Sequence, residues 1–491
     1  VARRLGATQT AAGLALPAAG SAITILAAYI AVSHGATVAL EVLAVLLLFV
    51  GSVAAFLITP HRAVAGTVVV FAVLPALKVF ISPSIGGVKD VVCLGGFTAA
   101  AILVTFDHRR MDGWTASLIA LFLGIYIVNP GHGHGSDWLE GLRLTGEPVL
   151  LLVVGFVLPD PRRNLRWGLL AMAATGVVVS LYGVLQQVLG IGTLESLGYT
   201  YGEQIRTIGS NLRSFGTLDD PFNYAAFLYL ALAAGFWSLR KSSLVWIAES
   251  IIVVGLLVSF VRTAALVLLG FVMLTAIHRR LTYPALALGS AVAVIAALTL
   301  SHSSGIETQA YEVYYTNGGS ALISRSVNDP GGVLLNGRIS AWTAAVGPHP
   351  IDWLFGRGVG EVGTAAQRAS VGVLSTASSA ENLSTTATAV DSGYLATVAD
   401  VGVVGLVLEL ALFARLITLG VRHVRRGDLE GWLPVTLLSA LMLDALTRAS
   451  FTGFPSAFLG LLLVGLSIAA LEASPSPTGV RPRSRALAPQ L

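Results

Sequence analysis

From residue 17 to residue 301, and again from 393 to 472, apolar runs of about twenty residues follow one another, most of them bounded by Arg, Pro, Gly or Asp. Segments of that length cross the ~30 Å hydrocarbon of a bilayer only as α-helices, because lipid offers no partner to an open backbone N–H or C=O. Barrel strands would instead alternate apolar and polar residues over about ten positions, which these runs do not do. Of the 491 residues, 55% are hydrophobic and 11% charged, and mean hydropathy is +0.79. Soluble domains carry about 25% charged residues, so a soluble enzyme is excluded. The expected fold is an all-α integral membrane protein, a polytopic helical bundle.

About fourteen spans (12–14) are expected, near 17–33, 39–59, 64–82, 90–106, 115–129, 148–158, 167–190, 222–239, 243–260, 263–278, 283–301, 393–414, 432–447 and 454–472. The sixth is too short to cross alone, so it is expected to begin earlier, near Leu142, or to tilt little. With the N-terminus in the cytoplasm, the inside loops hold most of the 30 basic residues, among them Arg62, Arg109, Arg110, Arg162, Arg163, Arg240, Lys241, Arg279, Arg280, Arg422 and Arg425. That bias is the one the positive-inside rule requires, and it places both termini in the cytoplasm. The net charge of +4 and pI near 9.3 then reflect topology, and nucleic acid is not an expected partner. A cleaved leader is not expected, since no small-residue cleavage site follows the first apolar run. The single cysteine, Cys93, excludes an intrachain disulfide and a cysteine metal cluster.

Four regions follow: a transmembrane bundle over 1–301, an outside loop domain over 302–392 expected to hold short helices, C-terminal spans over 393–472, and a disordered cytoplasmic tail over 473–491. The tail is rich in Pro, Ser and Arg.

Polar residues at the outer membrane face are the ones charge bias does not explain. Arg262 interrupts the run 251–278; placing two spans with their junction at the outer face puts it near water, either as a snorkelling anchor or as an anion ligand. Arg213 precedes Asp219-Asp220-Pro221, which reads as a helix start with Asp220 as N-cap and Pro221 at the first position, putting Asn223 in the first turn. Asp391 precedes a span and reads either as an N-cap or as a reactive carboxylate. Lys78 pairs with Asp90 or binds an anion, two readings the sequence leaves open. His132 and His134 lack a third ligand at defined spacing, so no metal is expected there.

In order along the chain stand Arg213 with Gly216 and Pro221-Phe222-Asn223, Arg262 at a span junction, Arg338 with Trp342, Phe355-Gly-Arg-Gly-Val-Gly360, and Asp391-Ser-Gly-Tyr394-Leu with Gly402 and Gly405. This order resembles the bacterial O-antigen ligase and O-antigen polymerase family of membrane glycosyltransferases, over residues 200–410. Two departures stand out: Asp391 occupies the place of the ligases' histidine, and Ser392 that of a usual asparagine. The first favours a polymerase.

The resemblance implies a GT-C-like bundle at the bacterial cytoplasmic membrane with its active site outside. It implies a donor glycan on a polyprenyl pyrophosphate, membrane lipid as surroundings, and a chain-length regulator protein as a further partner. Cleaving the anomeric C–O bond puts negative charge on the pyrophosphate, which guanidinium groups stabilise bidentately at any accessible pH. Arg213 and Arg262 are accordingly assigned to the pyrophosphate and Asp391 to the acceptor proton. Arg338, Asn223, Asp220, Tyr394 and Lys78 are assigned to substrate binding. No metal and no cofactor are expected, and inversion follows from a single in-line displacement. Ligase-type transfer to a lipid or wall acceptor, and a multispan transporter or flippase, are the alternatives.

Overall fold

The computed structural model describes residues 36–107, 111–129, 134–201, 204–208, 211–239, 243–261, 349–361, 392–446 and 448–473. These are mostly helical. The helices are α1 (Ala36–Ile58), α2 (Pro60–Phe80), α3 (Val88–Asp107), α4 (Gly113–Val128), α5 (Ser136–Val157), α6 (Pro161–Ser196), α7 (Pro221–Leu239), α8 (Leu244–Val258), α9 (Pro350–Phe355), α10 (Gly393–Arg425), α11 (Trp432–Asp444) and α12 (Ser456–Glu472). Between α6 and α7 lies a two-stranded antiparallel hairpin, β1 (Arg206–Ile208) and β2 (Asn211–Arg213). The expectation did not include this hairpin.

Among the described residues, five helical segments are long and apolar enough to cross a membrane: Pro60–Phe80, Pro83–Asp107, Pro161–Ser196, Pro221–Leu239 and Gly393–Arg425. Four shorter apolar helices join them. The protein is thus an all-α membrane protein. The expected spans near 17–33, 263–278 and 283–301 lie outside the described residues, as do 302–348 and 362–391 of the outside loop.

The sixth expected span is corrected. Helix α5 starts at Ser136 and runs 22 residues, because Asp137, Glu140, Arg143 and Glu147 sit inside it rather than in a loop. Three of them belong to one ion network: Lys89 Nζ lies 2.6 Å from Glu147 and 2.5 Å from Asp90, while Arg143 reaches Asp90 at 3.5 Å and Glu140 at 3.1 Å. Charges taken from water in this way need partners, and α3 supplies them.

Helix α12 is buried from Ser456 through Leu471 and packs against α5, α6, α7, α10 and α11. A helix apolar all round belongs in the centre. Its closest crossing is with α5, where a Cβ at Gly155 would collide with the Leu462 carbonyl and one at Gly465 with the Leu152 carbonyl. Small residues permit such backbone approach where lipid gives helices no hydrophobic drive to associate.

Successive helices reverse direction, and contacts define two ends of the bundle. At one end Lys78 of α2, the hairpin, the start of α7, the end of α8, the start of α10 and the turn between α11 and α12 touch in a chain. At the other end Arg415 of α10 donates to Asp112, the N-cap of α4, at 2.6 Å.

Candidate functional site: a guanidinium cluster at one end of the bundle

The hairpin owes its place to two adjacent glutamines on α6. Gln186 Oε1 accepts from the N–H groups of Phe215 (3.0 Å) and Gly216 (2.9 Å), and its Nε2 donates to the Gly216 carbonyl (2.8 Å). Gln187 Nε2 donates to the Leu212 carbonyl (2.9 Å) and to Ser214 Oγ (2.7 Å). Such amides satisfy backbone groups that a short ribbon leaves open. Underneath, Tyr199 stacks edge-on against Phe215 and Phe80, and burial pushes its phenol well above the ordinary value.

The register sets Arg206 directly opposite Arg213. Like charges in that position repel, and both guanidiniums lie over the ring of Phe222, Arg213 Cζ at 4.5 Å and Arg206 Cζ at 5.8 Å. The negative ring face offsets part of the repulsion. Arg213 also donates to the carbonyls of Ser259 (3.3 Å) and Phe260 (3.5 Å) just beyond α8, where the helix dipole favours a cation.

Asp220 is the N-cap of α7. Its Oδ1 accepts from the N–H groups of Phe222 (2.7 Å) and Asn223 (2.8 Å), and its Oδ2 from Asn223 Nδ2 (2.6 Å). The carboxylate expected to touch substrate thus holds the helix start, and Asn223 with it. Asn223 Oδ1 accepts from Arg448 Nη2 at 2.7 Å. Arg448, in the turn before α12, is held by Asp444 (3.0 Å) and Ser450 (3.2 Å).

Lys78 does not pair with Asp90. It lies 3.5 Å from Asp219, because Lys89, adjacent to Asp90 and closer to Glu147, takes Asp90 instead. Tyr394 donates its hydroxyl to the Met442 carbonyl (2.9 Å) and packs edge-on against Phe451, so it anchors α10 to α11. Next to it Gly393 N–H donates to the Ala445 carbonyl at 2.8 Å, and Ser392 Oγ donates to the same oxygen at 3.2 Å.

Arg262, Arg338 and Asp391 lie outside the described residues. Among the expected residues, Arg213, Asp220, Asn223 and Lys78 are therefore brought to one end of the bundle. Arg206 and Arg448, which the charge bias leaves unexplained but to which the sequence assigns no role, join them. The hairpin signal was the Gly-Ser pair between Ile208 and Asn211; for Arg448 it was an arginine between two apolar runs, four residues after Asp444.

Four cations, Lys78, Arg206, Arg213 and Arg448, thus meet three carboxylates, Asp219, Asp220 and Asp444. Two of those carboxylates are engaged by Lys78 and Arg448 and the third by a helix start. The Arg206–Arg213 pair over Phe222 is the part of this face whose two guanidiniums together match the oxygens of a multiply charged anion.

No family model matches the chain, and no curated protein matches it.

Proposed function

We propose that the protein is a polysaccharide polymerase of the bacterial cytoplasmic membrane, a GT-C-like glycosyltransferase of about fourteen spans. It moves a glycan from a polyprenyl-pyrophosphate donor to the sugar of a lipid-linked acceptor at the outer face. In this reading the end carrying the hairpin faces outward, and the end carrying Asp112 and Arg415 faces the cytoplasm. Arg62, Arg162, Arg163, Arg166, Arg422 and Arg425, at the ends of α2, α6 and α10 away from the hairpin, support that orientation.

The acceptor hydroxyl attacks the anomeric carbon as the C–O bond to the diphosphate breaks. The leaving polyprenyl diphosphate takes the electron pair, and Asp391 takes the hydroxyl proton. Arg213, together with Arg262 and Arg338, neutralises the charge that develops on the diphosphate. Lys78, Asp220, Asn223 and Tyr394 keep the places the structure gives them, as positioning residues around that clamp. The single observation that carries the reading is the cross-strand Arg206–Arg213 pair over Phe222. Two guanidiniums gathered over one ring match the oxygens of a diphosphate bidentately.

The test is elongation by purified protein in lipid nanodiscs, supplied with a polyprenyl-pyrophosphate oligosaccharide and a chelator. A ladder of lengthened lipid-linked products is expected, lost in Arg213→Gln while that variant keeps the elution profile of the wild type. No ladder with wild-type protein, or an unchanged ladder with Arg213→Gln, overturns the assignment. A single jump of the whole glycan to a different acceptor identifies ligase-type transfer instead.

A further inference from the structure

A second group of polar side chains lies between the break in α10 and the turn that carries Arg448. Gly402 has φ +70° inside that helix, and a Cβ there would collide with the Leu354 carbonyl of α9. Glycine both permits the left-handed backbone and lets α9 and the glycine-rich segment after it lie against the break. Arg357 N–H donates to the Ala399 carbonyl at 2.7 Å, Val359 N–H to Asn129 Oδ1 at 2.9 Å, and Gly360 N–H to Asp400 Oδ1 at 3.2 Å.

Beside the break is a cavity lined by Tyr126 of α4, Thr145 of α5, Thr397, Asp400 and Glu409 of α10, and Thr452 before α12. It has room for about one water-sized guest. Glu409 is 3% exposed and Thr397 5% exposed, and Thr397 Oγ1 donates to Glu409 Oε2 at 2.8 Å. No lysine, arginine or histidine among the described residues pairs with Asp400 or Glu409. Thr145 is 6% exposed, and its Oγ1 has no partner in hydrogen-bonding geometry. Two carboxylates and an unpartnered buried hydroxyl thus line one small space.

We propose that this cavity binds one sodium ion. Every side-chain donor is a hard oxygen, which suits a hard cation. The cavity runs along the half-helix from Gly393 to Asp400, just before the break, and membrane helices interrupted in this way often border small-cation sites. Mg²⁺ keeps several of its waters, for which a space of one guest has no room. Ca²⁺ takes about six to eight oxygens, while Asp400 Oδ1 and Glu409 Oε2 already accept hydrogen bonds. A bound ion ties the glycine-rich segment to α10 through Asp400, and so fixes the start of α10 at Ser392 and Gly393. The site stands whether or not the protein transfers glycans.

The experiment is thermal unfolding of the full-length protein in detergent, titrated with NaCl at constant ionic strength held by choline chloride. Wild-type Tm should rise by about 1–3 °C per tenfold increase in Na⁺ once the site begins to fill, with K⁺ giving a smaller rise. Glu409→Gln and Asp400→Asn should abolish the rise. Thr145→Val serves where those variants fold poorly. It removes only an unpartnered hydroxyl, so Tm without Na⁺ should equal or exceed that of the wild type, while the Na⁺ concentration needed for the rise should increase about tenfold or more, the worth of one ligand at about 1.4 kcal/mol. Equal Tm in NaCl and choline chloride overturns the site. A rise produced by micromolar Ca²⁺ instead overturns its assignment to sodium. A Tm that follows pH and ignores Na⁺ shows that the carboxylates hold protons, and overturns it as well. Loss of the Na⁺ response with a normal product ladder leaves the glycan-transfer reading intact, so the two fail separately.

Discussion

Arg448 shows how the cluster at the hairpin end depends on single side chains. Its guanidinium joins Asn223 of α7 to Asp444 of α11, and the Asp444 side chain is 1% exposed. Removing one partner of a buried ion pair leaves the other uncompensated, at a cost of about 3–5 kcal/mol. Arg448→Met is therefore expected to lower stability by that amount, and the double variant Arg448→Met with Asp444→Leu to recover a large part of it, as measured by reversible unfolding in mixed micelles. Equal losses in the single and double variants would show that the pair carries no such load. At the opposite end Arg415 holds the Asp112 carboxyl below its usual range. A depressed carboxylate contributes stability above its unfolded value of about 4, and that contribution disappears as pH falls through the lower folded value. Wild-type Tm should thus fall more steeply than that of Arg415→Gln as pH drops below about 4; parallel curves would deny the pair a role. Asp220 and Asn223 could be read from sequence because an Asp-Pro start and its first turn are local, while the family resemblance singles out Arg213. Arg206 and Arg448 could not. One depends on strand register, the other on a contact 225 residues apart.

At the scale of elements, most helix starts and stops follow from where apolar runs meet Pro, Gly and charge, since both signals act within a turn or two. What was hidden lay inside the runs. Helix α5 absorbed charged residues because Lys89 of α3 pairs with Glu147, while Arg143 pairs with Asp90 of α3 and with Glu140, and an apolar-run criterion ends a span where partnered charge begins. Helix α10 continues for 33 residues through a non-helical glycine, which sequence shows only as one more Gly in a Gly-rich span. The α5–α12 crossing was equally silent, although its small residues are visible once the pairing is known. Gly155→Leu must push α12 away from α5. Overpacking of this kind costs about 1–3 kcal/mol or more, and α12 touches five other helices, so loss of the folded, monodisperse protein is the expected outcome. The same change at Gly51, which has nothing near its Cβ position, should be tolerated. Size-exclusion profiles of the two variants decide, and similar behaviour would contradict the central place given to that crossing.

At the scale of the molecule, one end of the bundle gathers Lys78, Arg206, Arg213 and Arg448 while the other carries the arginine-rich helix ends that the positive-inside rule assigns to the cytoplasm. Membrane class and orientation could be argued from composition and charge alone because both are bulk properties of the chain. The site could be argued only in part: four of its expected residues meet at the hairpin end, and Arg262, Arg338 and Asp391 lie outside the described residues. The central claim is that the hairpin end recognises a diphosphate on a lipid. It is tested most directly by the affinity of purified protein in nanodiscs for polyprenyl diphosphate against polyprenyl monophosphate, with Arg213→Gln alongside. The diphosphate should bind about tenfold or more tightly than the monophosphate, a difference of about 1.4 kcal/mol or more, and Arg213→Gln should erase that preference. Equal affinity for the two lipids, or a preference untouched by Arg213→Gln, would contradict it.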